Sequence, residues 1–404
     1  MKKLFLLLLP LALLCSCKKP LFDKTGRVDP DDPRVRPSAP DSTRWGLPDV
    51  YATAIVFPDT VNWRKGGTFG ARMMIYKNGV LVDSLEKYVQ PNPESAHFQD
   101  GHLWTNTTDG FETWITCDGS PLFSFKGEER MVGFLVADGS VHTLGQRPGG
   151  GICYRVNGQE VFSSEKGVAL SANFSSDWEG GALYRDTDGG VCYSYSIPVS
   201  TETAEMWEYR VMKGAETLKM IPAMADSRLY DIRVHGNSVY RLEYRYGRMC
   251  FLKDDELKAL ELPEGATDLR LVLVDGEIRI KGRHSESHRT ISHMWIRGAD
   301  TLLLHASIAH CRTIADVFMD RGEKAVIYCD SEDCVHEVYL DSTRVTTLPM
   351  ELYTPYTAHA IHYKKGVVAM ALTGDTSIDD NIIVVNDKKF PLSFNGYFTG
   401  VYFE

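Results

Sequence analysis

The sequence predicts an all-β chain folded as a ring of eight four-stranded antiparallel sheets, and three observations predict it. First, Leu269 to Leu304 reads as two hairpins in tandem. Leu269, Leu271 and Leu273 alternate with polar residues up to Asp275-Gly276, and the chain returns through Ile278 and Ile280; Met294, Trp295 and Ile296 then lead to Gly298-Ala299-Asp300 and back through Leu302 to Leu304. Period-two alternation about an Asp-Gly pair signals a hairpin, because Gly and Asn/Asp tolerate the positive φ of a tight turn. Second, the second hairpin's turn recurs at Asn78, Asp118, Asn157, Lys213, Asp254, Gly298, Asp341 and Asn386, at spacings of 40, 39, 56, 41, 44, 43 and 45 residues. Third, the first hairpin's turn interleaves with it, at Gly101, Gly139, Glu179-Gly180, Gly236, Gly276, Gly322 and Gly366.

A four-stranded unit of this length matches the blade of a β-propeller, and eight second-hairpin turns predict eight blades. Neither the Gly-His…Trp-Asp run of WD40 repeats nor the regular Gly-Gly pair of kelch repeats is present, so the resemblance to propellers rests on turn spacing.

Taken in order, residues 1–16 have a basic start and an apolar run from Leu4 to Leu14, the pattern of a secretory signal too short to span a bilayer. Leu14-Cys15-Ser16-Cys17 resembles a bacterial lipobox, which implies cleavage before Cys17 and lipidation of its thiol. Residues 17–47 are rich in Pro and charge and read as an extended tether, with Trp45 the residue expected to dock it first on the folded domain. The propeller domain is expected over 48–404. Repeat one lacks an innermost strand, while Tyr397 to Phe403 at the chain's end has no partner; pairing the two closes the ring and removes an exposed edge.

In a blade of strands A to D, counted outward from the axis, the A–B and C–D turns lie on one face and the B–C and D–A connections on the other. The second set carries most of the length variation, which makes that face the expected binding face. The largest departure from the repeat is in blade 4, where 33 residues separate Gly180 from Lys213, against about 18 to 23 elsewhere. Tyr184, Asp186, Asp188, Tyr193, Tyr195 and Trp207 lie there. Rings beside carboxylates suit sugar stacking with hydroxyl recognition, or a protein hot spot; equally, alternate rings could pack blade against blade. In the channel the expected polar residues of the A strands are Asp231, Arg233, Arg270, Asp316, His359 and His362.

Metal and catalytic signals are sparse. His284, His288 and His293 in blade 6 are the residues that could converge on zinc, though a solvated hairpin has the same composition. The acidic loops 330–333 and 375–380 lack the spaced ligands and glycine of an EF-hand. No Gly-x-Ser-x-Gly, His-Glu-x-x-His, P-loop or dinucleotide fingerprint occurs, and no cofactor is expected. Seven cysteines follow Cys17 at irregular spacing; Cys329 and Cys334 could bridge a hairpin, and the others read as small hydrophobes.

The formal charge of −10 argues against nucleic acid, which demands a basic face. Lipobox, Pro/Asp-rich tether and repeat β domain together resemble the envelope lipoproteins abundant in Bacteroidetes. That resemblance implies a lipid anchor, commonly in the outer membrane, with Lys18-Lys19 leaving the side of the membrane open. The function expected is a non-enzymatic binding or assembly module for a glycan or an envelope protein. The alternative is a glycoside hydrolase or polysaccharide lyase with paired carboxylates at the channel mouth.

Overall fold

The computed structural model describes the chain from Gly46 to Phe403, apart from connecting segments of which 59–69, 86–95 and 171–181 are the longest, and apart from the side chains of 284–323. Cys17 and the tether through residue 45 lie outside the described residues, as do Cys334, His288 and His359.

Eight antiparallel sheets follow one another in chain order as blades. Blade 2 comprises Ala96–Gln99, His102–Thr108, Glu112–Cys117 and Ser120–Lys126. Blade 3 comprises Arg130–Ala137, Ser140–Gln146, Ile152–Val156 and Gln159–Ser164, and blade 5 comprises Ser227–His235, Ser238–Arg245, Arg248–Lys253 and Glu256–Ala259. Blades 6, 7 and 8 occupy 266–307, 312–349 and 352–392. Blade 1 is built from both ends of the domain: Gly396–Phe403 is its innermost strand and pairs antiparallel with Val50–Val56, outside which lie Arg72–Lys77 and Val80–Leu85. Closure by the C-terminal strand is therefore as the sequence predicts. The sheet edge that Val50–Val56 would expose is covered, and Thr53 Oγ1 meets Thr399 Oγ1 at 2.7 Å across the seam.

The turn series has a physical cause beyond turn propensity. Asn78, Asp118, Asn157, Asp254, Asp341 and Asn386 each open a C–D turn with φ between 47° and 54°. Each donates its backbone N–H to a B-strand carbonyl, of Val50, Leu103, Val141, Val239, Lys324 and Val368 in turn. The Oδ1 of each then accepts the N–H of that same residue, at 2.9–3.0 Å. Asn and Asp are the residues that tolerate left-handed backbone and carry an acceptor short enough for this clamp. The sequence period is the period of the clamp.

Apolar side chains fill the spaces between blades rather than a single centre. Tyr76, Phe394, Phe398 and Val401 pack blade 8 on blade 1; Leu135, Tyr154, Leu183, Tyr193 and Tyr195 pack blade 3 on blade 4; Val211, Ile221, Ile232 and Val234 pack blade 4 on blade 5. A blade interior to the ring is thus buried on both faces.

Blade 4 corrects one expectation. Its A–B turn is not at Glu179-Gly180, which lies outside the described residues, but at 187–189, where Asp186 N–H donates to Gly190 O at 2.8 Å and Gly189 N–H donates to Asp186 O at 3.0 Å. Gly189 and Lys213 are then 24 positions apart, close to the usual spacing. The extra length sits inside the innermost strand: Val168–Ala169 and Tyr184–Arg185 both pair with Val191–Ser200, opposite Ser196–Tyr195 and Cys192–Val191 respectively. The chain re-enters along blade 3, with Ala182 N–H donating to Val132 O at 3.0 Å and Leu183 against Gly133, where a Cβ would come within 2.7 Å of the leucine Cγ. Blade 8, four blades away, repeats the device: Leu352–Tyr353 and Ile361–Lys364 flank an insertion and share the partner strand Val367–Gly374.

Candidate functional site

The blade 4 residues singled out in the sequence part company in space. Val191–Ser200 is its B strand and Glu205–Lys213 its C strand. Tyr193 and Tyr195 are wholly buried against blade 3, Tyr193 with its ring 4.9 Å from that of Tyr154 and Tyr195 with its ring 6.0 Å from that of Phe162. Tyr184 is buried against blade 5, where its hydroxyl accepts Val234 N–H at 3.0 Å and the Arg233 guanidinium lies 5.4 Å from its ring. These three rings pack blade on blade and show no face to solvent. Trp207 alone of the aromatic set is exposed, at 40%.

Asp186 has a fully buried side chain and a complete set of donors. It accepts the N–H groups of Thr187 (2.7 Å), Gly236 (2.6 Å) and Asn237 (3.1 Å), and the ammonium of Lys213 (2.9 Å). Lys213 ends the C strand, one residue before Gly214, which takes the turn position that other blades give to the clamping Asn or Asp; the lysine also reaches Asp188 (2.6 Å) and Asn237 Oδ1 (2.7 Å). The lysine therefore ties both turns of blade 4 to the A–B turn of blade 5. Burial pushes the Asp186 carboxyl up, but Lys213 and the three amides outweigh it and hold it down at about 2. Asp188 is lowered as well, first by its bond to Lys213. A glycosidase acid requires a carboxyl that keeps its proton; neither of these does.

Beside this lock, between blades 3 and 4, an open pocket of about 530 Å³ is lined by Asp138, Ser140, His142, Tyr154, Gly190 and Lys213 among others. It opens on the short-turn face, opposite the face expected for binding. His142 Nδ1 lies 2.7 Å from the Tyr154 hydroxyl. Burial, then the nearby Arg185, lower the imidazole to about 4 against the opposing pull of Asp138. It is neutral at physiological pH and a weak base there.

In the channel wall, Asp231 Oδ1 accepts the N–H of Ile232 and Oδ2 that of Leu271 in blade 6, both at 2.7 Å. Burial raises its carboxyl to about 6 in spite of these bonds and of Arg233 and Arg270. Oδ2 joins two neighbouring innermost strands while Oδ1 is held by Asp231's own strand, which is a structural use. His362 packs near Tyr402, ring centroids 6.1 Å apart. The side chain of Asp316 is outside the described residues, as is His359.

The zinc expectation meets the strand register. His284 pairs opposite Ser292 and His293 opposite Arg283. These positions are one step out of phase, and successive positions of a strand belong to opposite faces of its sheet. Of the cysteines described, Cys153, Cys192 and Cys250 are buried free thiols, as read from the sequence, and Cys117 is partly exposed.

What the sequence reading missed lies at the B–C end of blades 4 and 5. Besides Trp207, the rings of Tyr230, Tyr244 and Tyr246 are exposed there, Tyr246 at 70%. Among the described residues, nine non-glycine residues have positive φ; eight are Asn or Asp, and the ninth is Tyr246, at 51°, followed by Gly247 at 78°. The B–C turn of blade 5 thus places an exposed tyrosine in a conformation that penalises it by about 1–2 kcal/mol relative to ordinary backbone. Arg228 lies 5.4 Å from the Tyr230 ring, and Arg248 is exposed without an ion pair among the described residues. The signal was present as Tyr244-Arg245-Tyr246-Gly247-Arg248, rings alternating with arginines about a glycine.

No protein-family profile and no curated protein matches the chain. Among solved structures it is similar to a prolyl endopeptidase (10% identity, TM-score 0.45, covering 76% of this chain and 49% of that one). It is also similar to the β-propeller domain of the Trilobed protease from Pyrococcus furiosus (7%, 0.43, 73% and 94%) and to dihydro-heme d1 dehydrogenase (11%, 0.46, 94% and 81%). The chain spans about half the length of the prolyl endopeptidase. At such identities the likeness is one of fold alone, and the eight-bladed β-propeller stands on its own strand pairing.

Proposed function

We propose that this protein is a non-enzymatic binding module of the bacterial envelope, anchored through a lipid on Cys17, which takes a glycan on the exposed aromatic strip at the B–C end of blades 4 and 5. The observation that carries the reading is Tyr246, an exposed ring held in left-handed backbone at a turn where Asn would fit without strain. Strain of this kind is kept where function uses it. Tyr and Trp rings with guanidinium groups beside them offer flat stacking surfaces, and the exposed Arg228 and Arg248 favour glycans that carry carboxylates. The carbohydrate-active enzyme stays the alternative, and it draws no support from Asp186 and Asp188, which share one lysine.

The test is a thermal-shift and binding series of the full chain against neutral and uronic-acid oligosaccharides, with each ligand recovered and sized afterwards. A ligand at 100 times its Kd adds about 2.7 kcal/mol. Tyr246→Asn is expected to weaken binding by roughly two- to tenfold through the lost ring and, at the same time, to stabilise the free protein by about 0.5–1 kcal/mol through relieved strain. A ligand that binds Tyr246→Asn and Tyr230→Ala as tightly as the parent overturns the strip, and a shortened ligand overturns the non-enzymatic reading. For the anchor, Cys17→Ala is expected to shift the protein from the membrane to the soluble fraction; continued labelling of that variant by a lipid probe refutes it.

A further inference from the structure

On the short-turn face of blade 2, three atoms of metal-ligating type come together. His102 Nδ1, Cys117 Sγ and an oxygen of Asp118 all lie within 4.8 Å of one another. His102 opens the B strand, Cys117 closes the C strand and Asp118 is the clamping residue of the C–D turn. Cys117 and Asp118 are adjacent in sequence, and the strand pairing brings His102, 16 positions before Asp118, to them.

The clamp preorganises the carboxylate. Asp118 Oδ1 accepts Leu103 N–H at 2.9 Å, and the Asp118 N–H donates to Leu103 O at 2.8 Å, so the residue is fixed at both ends. Its other oxygen, Oδ2, lies 2.6 Å from His102 Nδ1 and 4.0 Å from Cys117 Sγ. Zinc bonds of about 2.0–2.1 Å to N and O and 2.3 Å to S, at tetrahedral angles, hold such ligand atoms roughly 3.3–3.6 Å apart. The observed separations fall on either side of that range: a swing of the half-exposed imidazole lengthens the first, and a rotation of the partly exposed Cys117 side chain shortens the second.

The equivalent positions elsewhere in the ring show that the fold does not demand this set. In blade 1 they are Asp49, Lys77 and Asn78: Lys77 Nζ meets Asp49 Oδ2 at 2.7 Å, and the Asn78 amide donates to Asp49 Oδ1 at 2.7 Å. Blade 3 has Ser140, Val156 and Asn157, and blade 5 has Ser238, Lys253 and Asp254. Blade 2 replaces an ordinary ion pair with an imidazole and a thiol, and its clamp is a carboxylate rather than the amide of blade 1.

We infer that His102, Cys117 and Asp118 bind zinc or a similarly thiophilic divalent cation, with the fourth position open to water or to a group from a bound partner. Sulfur and imidazole donors select against magnesium and calcium, which prefer oxygen ligands. Coordination takes the Cys117 thiolate, the thiol proton passing to solvent, and the lone pair of His102 Nδ1 in the tautomer protonated at Nε2. One thiolate and one carboxylate then balance the charge of the dication.

The experiment is a cobalt(II) titration of the reduced full chain, followed by competition with zinc. A thiolate-to-cobalt charge-transfer band is expected, saturating at one equivalent, lost on zinc addition and absent in Cys117→Ser. Asp118→Asn is the decisive variant: Asn holds the same clamp in blades 1, 3 and 8, so the fold is kept, and cobalt affinity is expected to fall at least tenfold. His102→Ala is expected to do the same. No band, a band that survives in Cys117→Ser, or an affinity unchanged in both Asp118→Asn and His102→Ala overturns the site, the last by showing adventitious capture by a lone thiol.

Discussion

Removal of residues 396–404 is expected to unfold the entire ring, not merely to fray one blade. Phe398, Val401, Tyr402 and Phe403 are buried, and Phe398 N–H reaches Thr373 Oγ1 in blade 8 at 3.2 Å, so the strand belongs to two interfaces at once. Its backbone fits closely against its neighbour: a Cβ at Gly396 would lie 2.0 Å from Ile55 O. At about 1.5–3 kcal/mol for each large side chain returned to water, the loss is comparable with the 5–15 kcal/mol that holds a whole domain folded. It also uncovers Val50–Val56 as a long apolar edge, a template for aggregation. Circular dichroism through a thermal ramp reads the result. A truncated chain that melts where the parent does would sink the closure argument, and Phe398→Ala, expected to lose about 3–5 kcal/mol, provides a graded version that leaves the strand in place.

Asp186→Asn is expected to destabilise the propeller by about 2–4 kcal/mol at pH 7, because it removes one partner of a buried pair and leaves the Lys213 ammonium short of a counter-charge. The effect carries a pH signature. The folded carboxyl titrates at about 2, below the ordinary value near 3.9 of an unfolded chain. Its contribution is therefore complete above pH about 4 and disappears as pH falls from there through 2. Asp231 runs the other way: its raised carboxyl, at about 6, favours the folded state in acid and loses that advantage as pH rises from about 4 to 6. Since Asp231 is common to both proteins, urea unfolding of parent and variant at pH 7, 4 and 2.5 isolates Asp186. The gap is expected to be full at pH 7 and to have shrunk to roughly a third at 2.5. Equal stability at pH 7 would mean that the knot of four donors on Asp186, three amides and one lysine, is not what joins blades 4 and 5.

Much of this architecture was legible in the chain because its determinants are local. A C–D turn demands left-handed backbone at its first residue and an acceptor that reaches the B strand, so Asn78, Asp118, Asn157, Asp254, Asp341 and Asn386 recur at the period of the blade. The unpartnered C-terminal strand was legible as well, since a ring with one missing strand and one spare has a single economical closure. Blade 4 was misread at Glu179-Gly180 because an insertion within a strand leaves the hairpin after it intact, and period alone cannot say on which side of a turn extra residues lie. The aromatic residues of that blade misled for a related reason. Alternation distinguishes a wet face from a dry one where a sheet has both, and in a propeller each blade is covered on both sides, so Tyr193, Tyr195 and Tyr184 look the same in sequence whether they meet ligand or neighbour.

The sequence by itself determined the unit, its number and the means of closing the ring, all of which rest on backbone conformation and on alternation within some forty residues. Tertiary structure alone decided which side chains meet across blades. It sent Asp186 to Lys213 and to the amides of blade 5, left Tyr246 and Trp207 in water, and brought His102 to Cys117 and Asp118. Those outcomes depend on register and on packing between sheets, distances that the chain fixes only after it has folded.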